Sequence, residues 1–170
     1  MAGYGLPKEQ RLSVVLQNSL EVEGHKIKII NGSVSGSTSA GGLNIAEWTL
    51  SQSNIDLMIL CLGANDMLRG INPKETKNNL EEIIQIAKNK KIKIIITGMI
   101  APTSYGSEYK ESFDKIFFNL SKEYNLQLIP FLLEGVAQKP EFNLSDGMHP
   151  NDQGTIIIGN TLKKAILKNL

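Results

Sequence analysis

The segment Asp146-Gly147-Met148-His149-Pro150 concentrates the residue types best suited to proton transfer. His149 is one of only two histidines in the chain. An imidazole works as a general base when an acceptor on its other ring nitrogen fixes its tautomer and tilt. Asp146 stands three residues earlier and reaches that nitrogen if the loop curls back, which Gly147 favours. Taken alone, the same residues also read as a plain Asp-Gly turn before a helix opened by Pro150. His25, in Glu23-Gly24-His25-Lys26, sits at a polar helix-to-strand turn and reads as a surface residue.

Two further segments offer hydrogen-bond donors. Asn31-Gly32-Ser33-Val34-Ser35-Gly36-Ser37-Thr38 presents backbone N–H groups at the start of a helix, which is an anion site. A phosphate cradle is poorly supported, since neither Gly-Lys-Ser/Thr nor Gly-x-Gly-x-x-Gly occurs here. The other use is an oxyanion hole, with the Gly36 N–H directed at a developing negative oxygen. A glycine that only permits a tight turn is the plain alternative. Asn65, in Gly63-Ala64-Asn65-Asp66, carries a neutral amide that can strengthen on an oxyanion without titrating, or else closes an ordinary Asn-Asp turn. Asp66 reads as a brace for that loop. Arg69 is either a solvated charge or part of a mobile substrate loop.

The elements that must position these residues alternate in type. Ile27–Ile30, Leu57–Leu62, Ile92–Thr97 and Leu126–Ile129 are short, rich in branched residues and predicted to be strands. Their continuous apolarity suits a parallel sheet buried on both faces. A helix is predicted from Pro7, with Leu12, Val15, Leu16 and Leu20 on one stripe and Gly24 as its stop. A weaker one covers Thr38–Leu50. The clearest start is Asn72-Pro73, a cap followed by a first-turn proline with Glu75 three residues after the cap, leading to the stripe Leu80, Ile83, Ile84 and Ala87. Glu108–Tyr124 places Phe113, Ile116, Phe117 and Leu120 at the same spacing, and a last helix runs from about Asn151 to the end. The order specifies an α/β fold, a three-layer α/β/α sandwich built as one domain over residues 1–170.

Gly36, Asn65, Asp146 and His149 all fall after predicted strands, where open parallel sheets form their sites. With Ala2-Gly3-Tyr4 at the start, Ser35-Gly36, Gly63-Ala64-Asn65-Asp66 and Asp146-Gly147-Met148-His149-Pro150 resemble, in order and separation, the blocks of SGNH (GDSL-type) serine hydrolases. The likeness is to the multifunctional esterase, thioesterase and lysophospholipase branch. It implies a flavodoxin-like parallel sheet, Asp146 and His149 as acid and base, and Gly36 and Asn65 as oxyanion hole. It implies a substrate loop at Met67-Leu68-Arg69-Gly70-Ile71, with Tyr105 in the next loop. Tyr105 also reads as a tyrosine packed against the sheet edge, and Met67, Leu68 and Ile71 as local core. The implied reaction is acyl transfer through a serine ester. Its substrates are small acyl or aryl esters and thioesters, lysophospholipids among them, and it uses no metal or cofactor.

The departure from the family is the block Gly-Asp-Ser-Leu, which occurs nowhere in the chain. The resemblance places the nucleophilic serine just upstream of Met1, and with it the first strand of the sheet. The sequence is therefore read as an N-terminally truncated hydrolase that is nearly inactive as written. The serines at 33, 35, 37 and 39 lie in the oxyanion segment and would need a new geometry to substitute. The rival reading is a non-catalytic protein of the same fold that binds an acyl or other small ligand. A flavin or nucleotide binder lacks a phosphate fingerprint. Loss of a first strand from the flavodoxin-like order 2-1-3-4-5 would open a gap of about 9.6 Å. Buried backbone groups lining it would cost roughly 1–3 kcal/mol each. The expectation is a marginal chain, or one that self-associates through the exposed gap.

Composition narrows the remaining classes. At 170 residues, 41% hydrophobic and 21% charged, the chain can bury one core. A net charge of +1 gives no reason to expect nucleic acid as a partner. No apolar run approaches the roughly 18 residues of a transmembrane segment. The single Cys61, inside an apolar run, reads as a buried inert thiol. A periplasmic or exported location fits the family, while the signal region is not part of this sequence.

Overall fold

The computed structural model describes residues 2–52 and 54–170. The chain divides into two compact units, one made of residues up to 35 with 132–170, the other of residues 36–131.

The 36–131 unit holds a parallel sheet of three strands, β1 (Leu57–Leu60), β2 (Lys93–Thr97) and β3 (Gln127–Ile129), in the order β1-β2-β3. Ile59 pairs with Ile95, and Ile96 with Leu128. Neighbouring residues of a strand point to opposite faces, yet Ile94, Ile95 and Ile96 are all buried. That is the pattern of a central parallel strand. α2 (Ser39–Ser51) leads into β1, α3 (Ala64–Leu68) and α4 (Pro73–Asn89) lie between β1 and β2, and α5 (Ser107–Tyr124) joins β2 to β3. Asn72 caps α4 by accepting the Lys74 N–H, and Pro73 takes the first turn, as the sequence indicates. The predicted stripes of α4 (Leu80, Ile83, Ile84, Ala87) and α5 (Phe113, Ile116, Phe117, Leu120) meet in one core with Leu60, Ile94 and Ile96. The α/β class expected from the element order and the flavodoxin-like type implied by the resemblance are those observed.

The other unit pairs α1 (Leu12–Val22) with α6 (Asp152–Leu167). Leu12, Leu16 and Leu20 of α1 are buried, as are Ile158, Leu162, Ala165 and Ile166 of α6. Pro7 precedes a short 3-10 turn, Lys8–Gln10, rather than opening α1 itself.

Three expectations change. Ile27–Ile30 is not a strand. A strand exists only through a ladder, and here one carbonyl and one N–H of the segment are bonded by the Gln17 side chain, which donates to the Ile27 carbonyl at 2.6 Å and accepts the Ile29 N–H at 2.6 Å. Pro150 does not open the last helix; Asn151 caps it by accepting the Gly154 N–H at 3.0 Å. The run Leu57–Leu62 pairs only to Leu60, and Cys61 is half-buried, because the chain turns at Gly63 into α3.

Candidate active site

Asp146 and His149 are brought together by a tight hairpin. Asn143 and Pro150 form an antiparallel bridge, and the Leu144 N–H donates to the His149 carbonyl at 2.7 Å. Gly147 closes the turn with φ +67, donating its N–H to the Leu144 carbonyl at 2.9 Å. Buried Asn143 anchors the base of the hairpin by donating to the carbonyls of Val136 and Lys139. At the tip, Asp146 Oδ1 accepts the N–H groups of Met148 and His149, at 2.8 and 2.9 Å. Its Oδ2 lies 2.7 Å from His149 Nδ1. These contacts, the His149 N–H foremost, then the imidazole and the Met148 N–H, hold the Asp146 carboxyl down at about 2. An ionised carboxylate only accepts, so Nδ1 carries the proton of a neutral ring and the basic lone pair is on Nε2. The pair is partly open to solvent, with His149 at 42% and Asp146 at 38% side-chain exposure.

One contact lies outside the sequence reading. The Tyr4 ring sits 4.5 Å from the His149 ring, centroid to centroid, tilted by 34°. Tyr4 thus covers a ring face that the aspartate does not hold. Its only sequence signal was its place beside Gly3 in the opening block.

In the 36–131 unit, Gly63 and α3 set the donors. Gly63 has φ +110, and a Cβ there would meet Phe117 Cζ at 3.1 Å. Only glycine combines that left-handed turn with so close a ring. The turn feeds directly into α3, whose side chains hold the segment before α2. Asn65 Nδ2 donates to the Ser37 carbonyl at 3.1 Å, leaving its second amide hydrogen for other use. Arg69 donates from Nη2 to the Gly36 carbonyl at 2.8 Å. Asp66, fully buried, accepts from the Ser39 N–H at 2.8 Å, from the Ser39 hydroxyl and from the Thr76 hydroxyl at 3.2 Å. It braces the loop, as its sequence position suggested. Gly36 itself is exposed, with φ +74.

Of the substrate-loop candidates, Met67 packs into the core, Leu68 is 45% exposed and Ile71 is half-buried. Gly70 turns the chain with φ +63. The Tyr105 hydroxyl donates to the Leu68 carbonyl at 3.2 Å, so Tyr105 does contact this loop. Tyr109, which the sequence reading passed over, donates to the Ile71 carbonyl at 2.9 Å. The spacing of 109, 113 and 117 was the available signal: three aromatics on one face of a helix, with Tyr105 in the turn just before it. A shallow cleft of about 820 Å³ opens around Asp56 and Lys93, where β1 and β2 begin, and contains none of the candidate residues. Chemistry in such sheets belongs at the other strand end. Among the described residues, no cluster of His, Cys, Asp and Glu is arranged to hold a metal, and no helix is long and apolar enough to cross a membrane.

The flavodoxin-like parallel sheet is the open α/β fold of the SGNH-hydrolase type. Residues 1–155 match the profile of the GDSL-like lipase/acylhydrolase family, and the chain belongs to that family. It is 35% identical over 169 residues to an arylesterase of Vibrio mimicus, covering 99% of this chain and 84% of that protein. It is 32% identical over 165 residues to thioesterase 1/protease 1/lysophospholipase L1 of Escherichia coli, covering 97% and 78% respectively. The crystal structure of TesA superposes with a TM-score of 0.93 at 31% identity, over 99% of this chain and 94% of that one.

Proposed function

We propose that these residues serve hydrolysis of carboxylic esters and thioesters by acyl transfer to a serine. His149 takes the serine proton through Nε2 and returns it to the leaving group. Asp146 keeps the ring in the working tautomer and stabilises the imidazolium. Gly36 N–H and the second Asn65 amide hydrogen bind the oxyanion of the tetrahedral intermediate. A second cycle with water in place of the alcohol releases the acid. The 2.7 Å contact between Asp146 Oδ2 and His149 Nδ1 carries this reading, because a surface turn has no need to fix an imidazole tautomer. The names of the relatives, an arylesterase and a thioesterase/lysophospholipase, support small acyl and aryl esters as the substrate class.

The polypeptide of 170 residues contains no Gly-Asp-Ser-Leu, so by itself it is expected to be nearly inert. Loss of the serine alone costs about 2 × 10⁶ in turnover in subtilisin, or about 8–9 kcal/mol of barrier. The test is hydrolysis of a short-chain nitrophenyl ester by two proteins. The chain as written should show no saturable rate above its His149→Ala variant. A version extended at its N-terminus by a strand ending in Gly-Asp-Ser-Leu should turn over, and lose that activity with His149→Ala. Saturable, His149-dependent hydrolysis by the unextended chain would overturn the inertness. An inactive extended protein with native-like structure would overturn the assignment of the site.

A further inference from the structure

We infer that Arg69 is a positioning residue for Gly36, tethering the Gly36 carbonyl and so restraining the turn that presents its N–H, rather than a residue that contacts substrate. This rests on the reading of Gly36 as an oxyanion donor given above.

Three side chains from one short stretch, Asn65, Asp66 and Arg69, bond the segment that leads into α2 and its first residue, Ser39. They reach the Ser37 carbonyl, the Ser39 N–H and hydroxyl, and the Gly36 carbonyl. The bonds fall on nearly successive residues, so they act as a ladder along the segment. Asp66 and Asn65 fix residues 37 and 39, and Arg69 alone fixes the carbonyl of residue 36. Glycine at φ +74 has no Cβ to restrict its ψ, so that carbonyl would otherwise be free to swing. A guanidinium hydrogen bond to a carbonyl is a charge-assisted contact, stronger than one between neutral groups.

Arg69 in turn is held from behind. Tyr105 bonds the carbonyl of Leu68, just before it, and Tyr109 bonds the carbonyl of Ile71, just after Gly70. The two rings lie 5.2 Å apart. Tyr109 stacks on Phe113 at 6.0 Å, and Phe113 meets Phe117 edge-on at 5.6 Å. Phe113 and Phe117 are core residues. An aromatic column made of Tyr105, in the turn before α5, and Tyr109, Phe113 and Phe117 of α5 therefore anchors the backbone on both sides of Arg69. A mobile arginine seeking a substrate group needs no such mounting.

The test is backbone ¹⁵N relaxation of the 170-residue chain, which needs no catalysis. In the unaltered protein Gly36 should show the order parameter of rigid backbone, about 0.85. In Arg69→Met it should fall below about 0.6 at Gly36 and Ser37, with α4 and α5 unchanged. Arg69→Lys, which keeps one charged donor, should restore most of the loss. Tyr109→Phe should give an intermediate value. A Gly36 that stays rigid in Arg69→Met, in a protein whose remaining spectrum is native, overturns the positioning role. Because the ester assay reads His149 rather than Arg69, that result would leave the proposed reaction standing. A loosened Gly36 together with an inactive extended protein would do the reverse.

Discussion

At the scale of single residues, the Asp146–His149 pair is set by local bonds rather than by burial. The Asp146 carboxyl, held at about 2 against an ordinary 3.8, owes this first to the His149 N–H and then to its ring. A folded value below the unfolded one means the contacts are fully in place above about pH 4. They are lost as pH falls through about 2. A ¹³C titration of the Asp146 carboxyl should therefore show its midpoint well below 3.8; a midpoint at 3.8 would mean the hairpin tip is not closed. An acid limb of activity above pH 4, in the extended protein, then belongs to another group, and Asp146→Asn should impair turnover without removing that limb. Asn65→Ala should lower turnover by about 10²–10³, the cost of one oxyanion donor, seen as a kcat effect with KM little changed.

The element scale belongs to α3, five residues long and yet the organiser of the segment from Gly36 to Ser39. Its aspartate satisfies three buried donors at once. Asp66→Ala strands the Ser39 N–H, the Ser39 hydroxyl and the Thr76 hydroxyl, each worth about 1–3 kcal/mol when unsatisfied and buried. A loss of at least about 3 kcal/mol in urea unfolding is expected. Gly63→Ala places a methyl group against Phe117 in a left-handed turn, and should cost about 1–3 kcal/mol. The sequence did not announce α3, because Gly63-Ala64-Asn65-Asp66 looks like a turn ending a strand. What makes it a helix is tertiary: Asp66 is pinned by Ser39, 27 residues earlier, and by Thr76 on the next helix. The strand forecast at Ile27–Ile30 failed for the converse reason. Branched residues favour extension, but a ladder needs a neighbour, and a glutamine side chain took that part. Where the signal was periodic and local, as in the α4 stripe and the Asn72 cap, sequence and structure agree.

For the whole molecule, the core of the 36–131 unit sets how much damage the fold tolerates. Phe113 is fully buried among α4, α5 and the sheet, and Phe113→Ala should cost about 3–5 kcal/mol. Thermal unfolding should report it as a lowered midpoint, together with loss of the rigid mounting beneath Tyr109. Asp146 and His149 were legible as a pair because they lie three residues apart. The Tyr4–His149 stack was not, since two rings so far apart in the chain meet only through folding. The hairpin from Asn143 to Pro150 has one more consequence, for how such a protein evolves. Asp146 and His149, the proposed acid and base, are aligned by bonds that begin and end within eight residues. Insertions elsewhere can reshape what the protein accepts while this pair is inherited whole, as one mutational cassette. Selection can therefore explore substrate preference without relearning proton transfer.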